Sequence, residues 1–246
     1  METAGRRENA TSKLLEWAAG TLWPSSCVLC GARGNGALTD LCRECAEDLP
    51  LNGTCCRQCA EPLSTDADRQ LLCGACIQRK PRFDRTICAF IYAYPADQLV
   101  RALKYRNAVS YARVLGDLLA DRLLREGELR AQIIIPVPLA LARFRERGYN
   151  QALEIGRRLE KRLRIPMHTR AVVRRRETAE QAGLDRKQRR KNIRGAFELV
   201  EAIAARDIAV VDDVVTTGST ANELARLLKR GGARRVEIWA VARAAK

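Results

Sequence analysis

The sequence predicts an α/β fold, a mostly parallel sheet with helices on both faces, preceded by a small cysteine-rich module. Nine of the ten cysteines lie between Cys27 and Cys76, so the composition of the chain changes near residues 80–86. Beyond that point apolar, β-branched runs alternate with amphipathic helical segments, a pattern typical of parallel sheets with helical connections. A chain of 246 residues is long enough for one core and a small satellite domain.

Three regions follow from this division. We expect an N-terminal helical segment over residues 1–22, the cysteine-rich module over 23–82 and the α/β domain over 83–246. The first segment is too short and too interrupted by charge for a signal peptide. No apolar run approaches the about 18 residues that a membrane span requires. We therefore predict a cytoplasmic protein with no membrane insertion, in a compartment where thiols stay reduced.

Eight of the cysteines form pairs with one spacing, C-x-x-C: Cys27/Cys30, Cys42/Cys45, Cys56/Cys59 and Cys73/Cys76. This spacing lets two thiolates on one tight turn face the same tetrahedral ion, and it predicts one or two structural zinc ions. Two successive four-cysteine ribbons are the simplest arrangement, but the spacing leaves an interleaved pairing open. A disulfide scaffold would require an oxidising compartment, and a redox protein would use one such pair rather than four. The remaining Cys55 and Cys88 are most simply small buried hydrophobic residues.

After a linker-like segment at 80–84, strand and helix patterns alternate. Apolar runs predict strands over 86–92, 133–135, 208–211 and 236–241. Helical periodicity predicts helices over 96–104, 111–125, 151–163 and 219–230. Asn150 is the expected N-cap of the third helix, and a Gly-Gly pair closes the last. The charge-rich segment 174–192 has no sustained apolar face, which favours a mobile loop or an exposed helix.

One segment combines a strand, an acidic pair and a hydroxyl-rich turn. The predicted strand Ile208–Val211 ends on Asp212 and Asp213, and Thr-Thr-Gly-Ser-Thr follows at 216–220 before a helix begins. Backbone amides at a helix N-terminus form an anion site, and the glycine allows a phosphate to approach closely. The two carboxylates suit a ribose diol or a magnesium ion held through water. No Gly-Lys-Ser/Thr follows, so this is not a Walker A loop.

The stretch from Val211 to Thr220 resembles the signature of type I phosphoribosyltransferases. Together with the cysteine pairs, the chain from about residue 20 to 244 resembles the competence protein F family (ComF, including GntX-like proteins). Further stretches that resemble this family are Leu-Lys-Tyr at 103–105, the segment 136–151 and the segment 178–197. The resemblance implies a type I phosphoribosyltransferase domain, with a Rossmann-like parallel sheet, behind a double zinc ribbon.

The resemblance also implies a ligand, phosphoribosyl pyrophosphate with magnesium. The acidic pair would hold the ribose hydroxyls, the Thr-rich loop would hold the 5′-phosphate, and the loop after Ile135 would hold the pyrophosphate. Candidate charge partners there are Arg143 and Arg147, for which ordinary surface charge is the alternative. The implied binding segment comprises Asp212, Asp213, Val214, Val215, Thr216, Thr217, Gly218, Ser219 and Thr220. Members that use 6-oxopurines carry Asp at the position of Thr216, which argues against hypoxanthine or guanine salvage.

Several functions fit these features. The formal net charge of +15 favours polyanionic partners, although a GC-rich genome that encodes surface arginines is an equal alternative. The family resemblance implies DNA uptake or natural transformation, with single-stranded DNA and DNA-uptake or helicase proteins as partners. A phosphoribosyltransferase of unknown acceptor, which would release pyrophosphate, and a non-catalytic sensor or scaffold are the alternatives. The sequence shows no obvious catalytic dyad, and its one histidine, His168, is expected at the surface of a strand or loop.

Overall fold

The computed structural model describes residues 26–33, 40–63, 72–105, 110–127, 129–176 and 193–245. The predicted N-terminal segment 1–22 and residues 177–192 of the charge-rich segment lie outside these ranges. The chain divides into two compact units, residues 1–49 and 50–246. The second group of four cysteines therefore belongs to the same unit as the sheet, whereas composition places the boundary near residue 82.

Each unit contains one cysteine-bearing ribbon built from a turn and a short helix. In the first unit, a bridge between Ser26 and Arg33 closes the first turn, and helix α1 spans Arg43–Glu47. In the second unit, a bridge between Cys55 and Pro62 closes the turn, and helix α2 spans Gly74–Gln78.

The described part of the second unit contains six strands: β1 Arg85–Ile91, β2 Ile133–Pro136, β3 Val172–Arg174, β4 Phe197–Leu199, β5 Asp207–Val215 and β6 Arg235–Arg243. Four of them form an all-parallel sheet in the order β1-β6-β5-β2, and β3 pairs with β4 antiparallel. The predicted α/β class with a parallel sheet is confirmed. Within this sheet the central strands β5 and β6 are almost entirely buried, as strands covered by helices on both faces must be.

Within the described ranges, five helices connect these strands: α3 Ala96–Tyr105, α4 Ser110–Arg125, α5 Leu141–Arg147, α6 Gln151–Leu163 and α7 Ser219–Arg230. Four of them match the predicted helices to within one residue. The Asn150 side chain accepts a hydrogen bond from the N–H of Ala152 at 3.0 Å, which confirms it as the N-cap of α6. Helix α5 was not predicted, because its seven residues carry four charges and no apolar stripe.

Helices α6 and α7 lie on opposite faces of the sheet. Leu224 and Leu228 of α7 pack in one core cluster with Ile135. The neighbouring Ile134 points the other way, since a Cβ placed on Gly156 of α6 would lie 3.9 Å from its Cγ2 atom. The connections that follow the adjacent strands β2 and β5 therefore diverge, and in open α/β sheets ligands bind at the carboxyl ends of strands at such a point.

Two predictions for this region were wrong in detail. Strand β5 continues to Val215 rather than ending at Val211, because β6 stays hydrogen-bonded beside it as far as the pair Val215–Arg243. The segment 80–84 is anchored at its end rather than being a free linker. The Asp84 carboxylate accepts the N–H of Val236 at 2.8 Å and pairs with the Lys229 ammonium at 2.8 Å.

Candidate functional site

A cavity of about 350 Å³ lies at the carboxyl ends of β2 and β5, where the helical connections diverge. It gathers residues that are up to 117 positions apart in the chain, between Lys104 and Ala221. All nine residues of the predicted binding segment from Asp212 to Thr220 line it, and so do Arg143 and Arg147. The remaining lining residues are Lys104, Tyr105, Val137, Pro138, Leu139, Ala140, Asn150, Gln151, Ala152, Arg174 and Ala221.

The hydroxyl-rich turn forms one wall of this cavity, at the start of helix α7. Gly218 is the N-cap residue and adopts the left-handed conformation with φ of 71° and ψ of 11°. A side chain would be strained at this position, which explains the glycine. The Thr217 and Ser219 hydroxyl oxygens lie 2.9 Å apart, and the Thr217 hydroxyl also accepts the N–H of Ser219 at 3.3 Å. The turn therefore presents hydroxyl groups and the positive end of a twelve-residue helix to the cavity.

The acidic pair forms the floor of the cavity, within strand β5. The Lys104 ammonium from α3 lies 2.9 Å from the Asp213 carboxylate. Burial, followed by the charge of Asp213, raises the pKa of Asp212 to about 8, although Lys104 opposes this rise. Burial alone would lower the pKa of Lys104, but the charges of Asp213 and Asp212 and the hydrogen bond with Asp213 raise it. The floor thus holds two carboxyl groups and one cation in close contact, and one carboxyl resists ionisation.

The predicted arginines Arg143 and Arg147 also line the cavity, but they lie on helix α5 rather than on a loop. The helix ends at Arg147 because Gly148 adopts the left-handed conformation, with φ of 76°. The Arg147 guanidinium stacks on the ring of Tyr105, 5.4 Å from its centroid, and donates to the Gln151 side chain at 3.2 Å. Its Nε atom is buried and has no hydrogen-bond partner among the described residues. Arg143 pairs with Glu146 at 2.6 Å.

Further polar residues, among them Lys104, Gln151 and Arg174, reach the cavity without having been predicted as site residues. Lys104 belongs to the Leu-Lys-Tyr stretch noted in the sequence, which was the only signal for it. Gln151 is buried, and its Nε2 atom has no hydrogen-bond partner among the described residues. Arg174 lies at the end of β3, where burial lowers its pKa and the charge of Asp212 opposes that effect. The one histidine, His168, is not among the lining residues and lies 3.3 Å from the Glu201 carboxylate.

Together these groups describe the kind of ligand that the cavity can hold. The hydroxyl groups and the helix N-terminus suit a phosphate, while the arginines that line the same cavity suit a second anionic group. The carboxylates of the acidic pair can accept hydrogen bonds from vicinal hydroxyl groups. A molecule with a diol between two phosphate-bearing ends would match all three features.

The eight paired cysteines form two separate four-sulfur clusters, one in each unit. The clusters are Cys27, Cys30, Cys42 and Cys45, and Cys56, Cys59, Cys73 and Cys76, and within each all sulfurs lie within 4.8 Å of one another. The sulfur atoms of Cys30 and Cys42 are 3.6 Å apart, as are those of Cys59 and Cys73. Four sulfurs at 2.3 Å from one zinc ion form a tetrahedron with edges of about 3.8 Å, whereas a disulfide has an S–S distance of about 2.05 Å. The successive arrangement is therefore confirmed, and the clusters fit structural zinc.

Backbone amides also point at these sulfurs. Burial opposes ionisation of Cys27, but amide hydrogen bonds from Cys42, Cys30 and Leu29 outweigh it and lower the pKa to about 6. In the second cluster, a hydrogen bond from Cys59, with amide hydrogen bonds, lowers the pKa of Cys56 to about 4 against the effect of burial. Zinc binds thiolates, and these donors stabilise the ionised sulfur of one cysteine in each cluster, Cys27 and Cys56.

Known families match both the cysteine-rich region and the α/β region of the chain. Residues 18–77 match the family described as Double zinc ribbon domain, and residues 118–246 match the family described as Phosphoribosyl transferase domain. Among the described residues, no helix is both long and apolar enough to cross a membrane.

Individual relatives match over most of the chain. Competence protein F of Haemophilus influenzae is 34% identical over 229 residues, which cover 89% of this chain and 96% of that protein. DNA utilization protein YhgH of Escherichia coli K12 is 34% identical over 224 residues, which cover 89% of this chain and 97% of that protein. Among solved structures, a purine phosphoribosyltransferase from Pyrococcus horikoshii matches with 20% identity and a TM-score of 0.31, covering 56% of this chain and 85% of that chain.

Proposed function

This chain belongs to the family of Competence protein F and DNA utilization protein YhgH, and we propose that it binds phosphoribosyl pyrophosphate with magnesium in the 350 Å³ cavity. The observation that carries the proposal is the meeting of three separated groups in that cavity: the Thr-rich turn, the acidic pair and the arginines of α5. Each suits one part of the ligand, and the cavity lies at the carboxyl ends of parallel strands.

The proposed contacts follow from the chemistry of each wall. The 5′-phosphate binds the amides and hydroxyls of residues 216–220 at the start of α7. Asp212 and Asp213 accept hydrogen bonds from the ribose hydroxyls, and Lys104 keeps the charge of Asp213 balanced. The pyrophosphate binds near Arg147, whose buried Nε donor has no partner among the described residues. Magnesium accompanies the pyrophosphate and offsets part of its charge.

Calorimetry with two ligands separates these contacts. Arg147→Gln should weaken binding of phosphoribosyl pyrophosphate by about 10-fold to 100-fold, as expected for the loss of a charge-assisted contact. It should leave ribose 5-phosphate unaffected, because that ligand lacks the pyrophosphate. Asp212→Asn combined with Asp213→Asn should weaken the binding of both ligands. Arg145→Gln is the matched control, since Arg145 is exposed on the same helix and does not line the cavity.

Two results would count against this assignment. If the wild-type protein binds neither ligand, the cavity is not a phosphoribosyl site. If Arg147→Gln and Arg145→Gln weaken the pyrophosphate ligand equally, the effect is one of general charge and the pyrophosphate does not lie beside Arg147.

Transfer of the phosphoribosyl group would displace pyrophosphate from the ribose C1 atom. The transition state of such a displacement resembles a cation, so it depends on positioning and charge neutralisation more than on a nucleophile of the protein. The acidic pair, held within a strand rather than on a loop, provides that kind of rigid support. Pyrophosphate release measured against a panel of bases, amines and DNA tests transfer, and no release with any acceptor would favour a sensor or scaffold that binds the ligand without reaction.

We also propose a role in the cytoplasm in handling single-stranded DNA during uptake, with proteins of DNA uptake or unwinding as partners. The names of the relatives, Competence protein F and DNA utilization protein YhgH, and the net charge of +15 support it. Binding to labelled single strands should weaken with rising salt, with a slope of about −0.7 in log–log form for each phosphate neutralised. Absence of binding at low salt, or binding that salt does not change, would contradict this role.

A further inference from the structure

A buried arginine joins the second cysteine cluster to the phosphate loop, which comprises Val215 at the end of β5 and the hydroxyl-rich turn 216–220. Arg243 ends strand β6 and is 2% exposed. Its Nε atom donates to the carbonyl of Cys59 at 2.9 Å. Its Nη1 atom donates to the carbonyl of Val215, the last residue of β5, at 3.0 Å, and to that of Thr216, the first residue of the hydroxyl-rich turn. Its Nη2 atom pairs with the Glu61 carboxylate.

These contacts depend on one another. A guanidinium buried this deeply needs a partner charge and several acceptors, and leaving it without them costs several kcal/mol. Cys59 and Glu61 provide part of that set, and both belong to the turn that carries the second cluster. If this turn loses its shape, Arg243 loses its partner charge and can no longer be held in place against the phosphate loop.

A second contact joins the same two regions. Gln58, in the same turn, is buried and donates to the carbonyl of Phe83. The Phe83 ring in turn reaches the phosphate loop, since a Cβ placed on Gly218 would lie 3.8 Å from it. The turn between Cys56 and Cys59 is thus attached to both ends of the loop segment 215–218.

We propose that zinc binding at the second cluster and phosphate binding at the loop are coupled, with Arg243 as the positioning residue between them. The inference rests on the proposed function, because it requires that residues 216–220 bind the 5′-phosphate. Zinc holds the turn, and the turn holds Arg243. Arg243 in turn fixes the carbonyls of Val215 and Thr216, two residues that line the cavity. Coupling of this kind is reciprocal, so a bound phosphate must also strengthen retention of zinc.

Zinc release to a chromogenic chelator tests the coupling, with and without saturating ribose 5-phosphate. A full-length variant with Cys27→Ser and Cys30→Ser isolates the second cluster. At equilibrium, ribose 5-phosphate should raise the chelator concentration that removes half of its zinc by at least about 5-fold, the lower end of ordinary coupling between sites. Calorimetry on the same variant should show that removing the zinc weakens the binding of ribose 5-phosphate by a similar factor.

Variants then locate the coupling. Arg243→Gln should weaken the binding of ribose 5-phosphate by about 10-fold and abolish the protection of zinc by this ligand. Glu61→Gln, which keeps the arginine, should lower both the affinity for ribose 5-phosphate and the protection of zinc. Arg235→Gln is the control, because Arg235 lies at the opposite end of the same strand. Should Arg243→Gln fail to fold, the wild-type zinc release and Glu61→Gln still decide the question.

The outcomes distinguish this inference from the function on which it rests. Normal binding of ribose 5-phosphate with no change in zinc release would overturn the coupling and leave the proposed function intact. Failure of the wild-type protein to bind ribose 5-phosphate would overturn both.

Discussion

Replacing Asp212 by asparagine should stabilise the protein without ligand, although Asp212 is proposed to bind the ribose. Burial and the neighbouring Asp213 raise the pKa of Asp212 from 3.8 to about 8. This rise corresponds to an upper limit of about 6 kcal/mol for holding the carboxylate ionised in the folded state. Because Asp212 lines a cavity that is open to solvent, we expect a gain of about 2 kcal/mol at pH 8. Asparagine keeps the oxygen that accepts the N–H of Asp213 at 2.9 Å.

The pH dependence gives this prediction its sign. The folded state retains a proton that the unfolded chain loses near pH 3.8, so the wild-type protein loses stability as pH rises from 3.8 towards 8. The gain from Asp212→Asn should therefore grow between pH 6 and pH 8, by at most about 1.4 kcal/mol per pH unit, and then level off. Urea denaturation of both proteins, with zinc retained, measures it.

Asp121→Asn is the control for this experiment, because Asp121 is partly exposed on α4 and pairs with Arg162 at 2.7 Å. It should change stability by no more than about 1 kcal/mol. A gain from Asp212→Asn that does not vary with pH, or a loss at every pH, would refute the reasoning.

Three other predictions follow from the same site and clusters. Gly218→Ala should cost about 1 kcal/mol in unfolding free energy, because φ is 71° there and only the conformation, not space, opposes a side chain. Gly53→Ala, at ordinary φ with open space, should be neutral, and equal effects of the two would contradict the explanation. Lys104→Met should weaken the binding of ribose 5-phosphate about tenfold, because it leaves Asp213 as an unbalanced negative charge. Arg101→Met, on the exposed face of the same helix, should leave this binding unchanged. Metal analysis should find two zinc ions per chain, matching the two clusters, and Cys56→Ser should remove one of them; a single equivalent in the wild-type protein would refute the pairing.

Local signals in the sequence predicted much of the fold. Asn150 predicts its helix start because an N-cap depends on two neighbouring residues, and the C-x-x-C spacing predicts metal knuckles because two ligands share one turn. The binding segment from Asp212 to Thr220 was recognisable for the same reason, since strand, acidic pair and turn are continuous in the chain.

What the sequence could not predict depends on distant pairing. The extension of β5 to Val215 is set by its partner β6, and the role of Lys104 depends on Asp213, which is far along the chain. Arg243 has no local motif, and its importance lies in acceptors that come from the ribbon turn and from the phosphate loop. The spacing of the cysteines leaves an interleaved pairing open, and only the positions of the sulfur atoms exclude it.

A crystal structure of the protein with phosphoribosyl pyrophosphate and magnesium tests the central claim most directly. We expect the ligand to occupy the 350 Å³ cavity, with the 5′-phosphate at residues 216–220, the ribose hydroxyls on Asp212 and Asp213, and the pyrophosphate beside Arg147. A ligand found outside this cavity, or lying in it with its 5′-phosphate away from the Thr-rich turn, would contradict the account.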